Sequence, residues 1–411
     1  MNSKEKFDYT ERVFDSYEKR FAKARLDKPL RDPTNAEHRA QILEEVRYML
    51  CLDRIPMPRI EITAYRNEVR NGVTVRTMQF RSWEHCYGEA TLFLPCGETE
   101  KRPAVMICPG HSPKGRFGYQ RMAFELAAHG MVVLLSDNLG QGSREQFGHW
   151  HAVAPLCGGI NLQGLIVSEA NAWIEWLREQ DFVDSTKIGV CGNSGGGTLT
   201  LFLGATNPSL AAVASSGYPS EFSYVFQKEK RHCCCNLLKG SSHLAEMWEI
   251  YSTLAPKPLL LSSGVCDHFF PFDVVMRTIR KVRLVYGRMG AEDCFESRMT
   301  DTKHSWEEED ILLISDFFVR RFEMQGERSA FAESEMAELC RYFDYPADAI
   351  STNRLASMLV GWEIPEDLTL EEVFPPTVNG ERVDATRLSG SLFPDDPMRI
   401  LSQMEYSFAD T

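Results

Sequence analysis

The sequence of 411 residues has no stretch near the roughly 20 consecutive apolar residues that a membrane-spanning helix needs, so no membrane span is expected. It is short of cations: 45 Lys and Arg stand against 58 Asp and Glu, a formal charge of −13. Sequence-independent nucleic-acid binding works by clustered cations displacing counterions, so neither a nucleic-acid nor a membrane partner is expected. The opening Met1-Asn2-Ser3-Lys4-Glu5-Lys6-Phe7-Asp8-Tyr9 lacks the apolar run of a secretory signal, and a cytoplasmic protein is expected. Cysteine is plentiful, with 12 residues, but paired C-x-x-C motifs are missing, which argues against a structural zinc site. In a reducing compartment these thiols are expected to pack as small apolar side chains, as in the runs ending at Cys108 and Cys191. Internal repeats and low-complexity tracts are lacking too. What is present is a globular balance, 43% hydrophobic and 25% charged, in a length suited to two or three domains.

The pattern divides the chain into three parts. Residues 1–57 read as a helical arm or cap: Tyr9, Val13, Tyr17 and Phe21 recur at helical spacing, and Ile42, Val46 and Met49 share a face of a second helix near 36–52. Near residue 58 the period changes to two. Ile60, Ile62 and Ala64, then Val73, Val75 and Thr77, flank the turn signal Asn71-Gly72, and another strand follows at 90–95, giving antiparallel opening strands. From about 100 to 322, apolar runs at 104–108, 132–136, 187–191, 211–215, 258–263 and 295–299 alternate with helical patterns such as 119–129 and 162–178. Such alternation predicts an α/β fold with a mostly parallel central sheet and helices on both faces, here within a catalytic domain of residues 58–322. Residues 219–246 interrupt it with aromatic, basic and cysteine-rich sequence and read as a lid-like insertion. Residues 323–411 form an acidic extension with helical segments expected at 333–343 and 353–359; together with the arm, it is a candidate homo-oligomer contact.

One string carries chemistry. Gly192-Asn193-Ser194-Gly195-Gly196 is a G-x-S-x-G directly after an apolar strand and directly before a helical run. A nucleophile elbow needs that context, because only small flanking residues let strand and helix close around a strained serine. A serine nucleophile needs a base and an acid that orients the base, and in this architecture they follow in the order Ser, Asp or Glu, His. Asp267 follows the strand at 258–263, and His304 follows the last strand; Asp293 and Asp301 are weaker alternatives for the acid and His268 for the base. An oxyanion hole needs backbone N–H donors. Gly195 supplies one, and the loop Cys108-Pro109-Gly110-His111-Ser112-Pro113 the other, from His111 or Ser112, with His111 favoured. Ser112, Arg144, Phe222 and Tyr224 are candidate substrate contacts. The run His232-Cys233-Cys234-Cys235 reads as apolar packing, because adjacent cysteines cannot readily aim three sulfurs at one tetrahedral ion. Neither a metal nor a cofactor is expected.

On these motifs the segment from about 100 to 322 resembles an α/β-hydrolase. It is similar to the acetylxylan-esterase and dienelactone-hydrolase-like branch at Gly192–Thr198, at Pro109-Gly110-His111, and at Gly264-x-x-Asp267 with Pro271. Dienelactone hydrolases use a cysteine nucleophile, whereas position 194 is serine. The resemblance implies hydrolysis of a carboxylic ester, such as an acetyl ester of a small molecule or carbohydrate, through an acyl-enzyme on Ser194. A C–C bond hydrolase acting on a diketone-like substrate, or a prolyl-oligopeptidase-like peptidase, would share the same machinery.

Overall fold

Continuous β-branched and leucine-rich runs dictate the centre of the molecule, a nine-stranded sheet. In chain order its strands are β1 (Glu61–Arg70), β2 (Val73–Arg81), β3 (Tyr87–Pro95), β4 (Arg102–Cys108), β5 (Val132–Ser136), β6 (Val183–Asn193), β7 (Ala212–Ser216), β8 (Leu259–Gly264) and β9 (Phe295–Thr300). Their spatial order is β1-β2-β3-β5-β4-β6-β7-β8-β9. The pairs β1/β2, β2/β3 and β3/β5 are antiparallel, and all later pairs are parallel. The computed structural model describes residues 31–97, 100–149, 152–225, 234–241, 244–324 and 342–366, with a two-residue ladder joining Thr377–Val378 to Glu381–Arg382. The expected helix on Tyr9–Phe21, and residues 333–341, lie outside the described residues.

Alternation of side chains along each strand splits the core in two. Ala104, Met106, Val132, Leu134, Leu259 and Leu261 point into one cluster, whereas Val105, Ile107, Val133, Leu135 and Leu260 point into the other. The second cluster is covered by α2 (Gln120–Ala128) and α7 (Glu308–Phe322), with Phe124, Ile314, Phe317 and Phe318 buried. The first is covered by α3 (Leu162–Arg178), α4 (Gly195–Thr206), α5 (Met247–Ser252) and α6 (Phe272–Arg288).

The described parts of the terminal additions pack on the same chain. Helix α1 (Ala36–Met49) starts at Asn35, whose side chain accepts from the Glu37 and His38 N–H groups, and buries Ile42, Val46 and Met49 as their spacing requires. Arg31 pairs with Glu249 at 3.0 Å, and Asn161 donates to the Met49 carbonyl at 2.7 Å, so the arm is bound to α5 and to the start of α3. Gly164 admits that contact, since a Cβ there would lie 1.9 Å from the Leu50 carbonyl oxygen. At the other end, α8 (Thr352–Val360) is capped by Ser351. The segment before it is tied down by the Phe343 N–H donating to Glu89 at 2.7 Å and by Tyr345 Oη meeting Ser143 Oγ at 2.9 Å. Tyr342 and Phe343, expected to end a helix, are not helical. Among the described residues, no helix is long and apolar enough to cross a membrane.

Candidate active site

Ser194 sits between β6 and α4 with φ 59° and ψ −121°, left-handed backbone that costs a non-glycine residue about 1–3 kcal/mol. Neighbouring backbone holds it there. The Ser194 N–H donates to the Ser216 carbonyl at 3.0 Å, and the Ser194 carbonyl accepts from the Thr198 N–H at 3.0 Å inside the new helix. The glycines of the motif are spaces that the backbone already fills. A Cβ on Gly192 would lie 2.4 Å from the Gly196 carbonyl oxygen, and one on Gly196 would lie 1.8 Å from that of Cys108.

The candidate acid and base come from the next two strand ends. The loops after β8 and β9 run against each other: the Val265 N–H donates to the Thr300 carbonyl, the Cys266 N–H donates to that of Thr302, and a Cβ on Gly264 would meet the Thr302 oxygen at 2.2 Å. Asp310 anchors the far side of the second loop, accepting from Thr300 Oγ1 at 2.8 Å and from the Glu307 N–H at 3.0 Å. The result is a continuous chain. His304 Nε2 lies 2.8 Å from Ser194 Oγ, and His304 Nδ1 lies 2.7 Å from Asp267 Oδ2. The other Asp267 oxygen accepts from the N–H groups of Phe269 and Phe270 at 2.8 and 3.1 Å, and its side chain has no solvent exposure. The Phe269 and Phe270 rings stand 4.6 and 5.6 Å from the imidazole. The rival groups lie apart from this chain. Asp293 precedes β9, at its amino end, Asp301 is exposed, and His268 is exposed with its ring 4.3 Å from Phe269.

The loop after β4 abuts the elbow, since a Cβ on Gly110 would lie 3.1 Å from Ser194 Cβ. Its amides are unequal candidates for an oxyanion. The Gly110 N–H donates to Tyr119 Oη at 2.8 Å and the Ser112 N–H to the Gly110 carbonyl at 2.8 Å, so both of these amides are already engaged. The His111 ring lies over the elbow, with Nδ1 2.7 Å from where a Gly195 Cβ would be. Gly195 is the first residue of α4, where N–H groups have no intrahelical acceptor.

The expected substrate contacts fare differently. Ser112 is half-buried, and its hydroxyl accepts from the Lys114 N–H at 3.2 Å. Tyr224 packs 6.3 Å from Phe270, one ring removed from His304. Phe222 is buried and its N–H donates to Glu246. Arg144 must be corrected: it is 1% exposed and makes a two-point pair with Glu169 at 2.6 and 3.1 Å, so its charge is spent inside the protein. His232 and Cys233 lie outside the described residues. His149, which the sequence did not single out, and Cys235, expected to be apolar packing, stand here instead. His149 Nε2 is 2.9 Å from His111 Nε2, and Cys235 Sγ is 3.6 Å from the same His111 nitrogen. The sequence signal for His149 is only its place in the loop after β5, and that for Cys235 is the cysteine run of the insertion. A cavity of about 330 Å³ beside Leu52, Ile55, Ser168 and Asn207 shares no residue with this cluster.

Comparison with known proteins agrees with this architecture. Residues 118–322 match the prolyl oligopeptidase family. The Bacillus subtilis (strain 168) protein YtaP, named as a hydrolase, is 22% identical over 255 residues, 55% of this chain and 85% of that one. Among solved structures, methylesterase BT1017 is similar with a TM-score of 0.60 at 21% identity, covering 83% of this chain and 77% of its own. Acetyl xylan esterase 1 from Thermoanaerobacterium sp. JW/SL YS485 gives 0.51 at 16% identity over 68% of this chain and 93% of its own. Sheet order, elbow and family match together show that this chain carries an α/β-hydrolase fold.

Proposed function

We propose that the protein is a serine esterase that cleaves a carboxylic ester of a small molecule or carbohydrate through an acyl-enzyme. The observation that carries this reading is the unbroken hydrogen-bonded chain Ser194–His304–Asp267 at 2.8 and 2.7 Å. Ser194 Oγ donates its proton to His304 Nε2 as it attacks the acyl carbonyl, and the imidazole returns that proton to the leaving alcohol. Asp267 accepts from Nδ1–H, which fixes the tautomer with its lone pair on Nε2 and stabilises the imidazolium. Its second oxygen is held by two backbone amides, so the carboxylate cannot swing away from the ring. The N–H groups of Gly195 and His111 receive the charge that develops on the carbonyl oxygen. Water then enters by the same route in reverse and frees the acid.

Ester over amide hydrolysis is supported by the neighbours, a methylesterase and an acetyl xylan esterase. The prolyl oligopeptidase match keeps a peptidase as the second reading. A panel of acetyl, methyl and aryl esters set against aminoacyl-prolyl amides separates the two. The expected outcome is turnover of esters, lost on Ser194→Ala with the fold retained by circular dichroism. Preferential amide cleavage would replace the esterase reading with the peptidase one, and full ester turnover by Ser194→Ala would remove both.

A further inference from the structure

Three side chains that the hydrolytic reading does not use converge beside the elbow: His111 from the loop after β4, His149 from the loop after β5, and Cys235 from the insertion. We propose that, with Cys235 in its thiol form, His111 Nε2, His149 Nε2 and Cys235 Sγ bind one Zn²⁺ ion next to Ser194. The inference is independent of whether Ser194 is a nucleophile.

Geometry carries it. Zinc takes nitrogen at about 2.0–2.1 Å and thiolate at about 2.3 Å, so a tetrahedral site separates its ligands by about 3.4 Å (N to N) and about 3.6 Å (N to S). Here the two imidazole nitrogens are 2.9 Å apart, Sγ is 3.6 Å from the His111 nitrogen, and all three atoms lie within 4.8 Å of one another. Small side-chain movements therefore suffice. His149 is already oriented as a ligand: its Nδ1–H donates to the Leu139 carbonyl at 2.8 Å, which fixes the tautomer and leaves the Nε2 lone pair facing the cluster. His149 and Cys235 are buried and His111 is partly exposed, so the ion has a path in past His111. Three protein ligands leave one tetrahedral position open.

Binding rearranges a small set of protons. Because His149 carries its proton on Nδ1, His111 donates from Nε2 in the present contact, and it must hold that proton on Nδ1 to ligate. The Gln141 amide, 3.2 Å from His149 Nε2, gives way to the ion. The thiol loses one proton to solvent as the Zn–S bond forms. Cys235 is disulfide-bonded in the structure, so the site is redox-gated. A dithiol reductant exchanges with that disulfide, its two sulfurs closing on each other while Cys235 and its partner sulfur each take a proton.

The test uses full-length protein reduced with dithiothreitol, desalted without oxygen and titrated with Co²⁺ and then Zn²⁺. Expected are one equivalent bound per chain, a thiolate-to-cobalt charge-transfer band with tetrahedral d–d bands, and displacement of both by Zn²⁺. Cys235→Ser loses the charge-transfer band, and His149→Gln weakens Zn²⁺ binding by about tenfold or more. Cys234→Ser, a neighbour outside the ligand set, keeps both. Circular dichroism checks each fold, and should His149→Gln unfold, Cys235→Ser decides alone. No band in the reduced protein, or a band that persists in Cys235→Ser, overturns the proposal.

Discussion

Asp267 joins the fold to the proposed chemistry. One oxygen accepts from two amides at the turn leading into α6, and the other holds His304 at 2.7 Å. Asp267→Asn keeps the shape but presents an amide that favours the wrong imidazole tautomer, so kcat is expected to fall by about 10⁴ with little change in KM. Steady-state kinetics checks this, and a loss below tenfold would mean that Asp267 does not orient His304. Ser194, Asp267 and His304 were legible in the sequence because each follows an apolar strand, at the sheet end where chemistry collects. Arg144 was not. Nothing local tells an arginine beside a pocket loop from one that folds inward, and its partner Glu169 lies on α3, across a loop and a turn. His149 and Cys235 were illegible for a related reason: their meeting with His111 is made by three separate loops, and no spacing encodes it.

At the scale of elements, buried ion pairs hold the pocket loops. Arg116, in the loop after β4, meets Asp137 after β5 and Glu89 on β3, all with side chains at most 1% exposed. Asp137 also accepts from the Ser143 N–H at 3.1 Å, and Glu89 accepts from the Phe343 N–H, so the network joins two site loops to the C-terminal segment. Arg144–Glu169 ties the second of those loops to α3. Removing one partner of such a pair leaves a buried charge uncompensated. Glu169→Ala is expected to lose about 3–5 kcal/mol in urea unfolding, while joint replacement of both residues by apolar ones costs much less. Equal losses for the single and double changes would show that lost packing, not the stranded charge, sets the cost. The elements themselves were readable: the apolar runs fall on β4 to β9 within a few residues, and α3 has the expected ends, Leu162 and Arg178. Which of them lie side by side was fixed by pairing across the sheet rather than by local pattern.

The described residues are built around a nine-stranded sheet with a core on each face, extended by an N-terminal segment bound to α3 and α5 and by a C-terminal segment laid over the network around Glu89 and Ser143. Alternating strands and helices announced the parallel part, and the Asn71-Gly72 turn announced the antiparallel edge. The docking of both extensions onto their own chain could not be read, since contacts such as Arg31–Glu249 and Phe343–Glu89 join residues more than 200 positions apart. All of this scaffold serves one claim, that Ser194 is activated by the chain leading to Asp267. Labelling the folded protein with a fluorophosphonate and mapping the modified peptide tests it most directly. One adduct is expected, on Ser194, absent after heat denaturation and absent in Ser194→Ala. Folded protein that does not react, or an adduct on another residue, would contradict it.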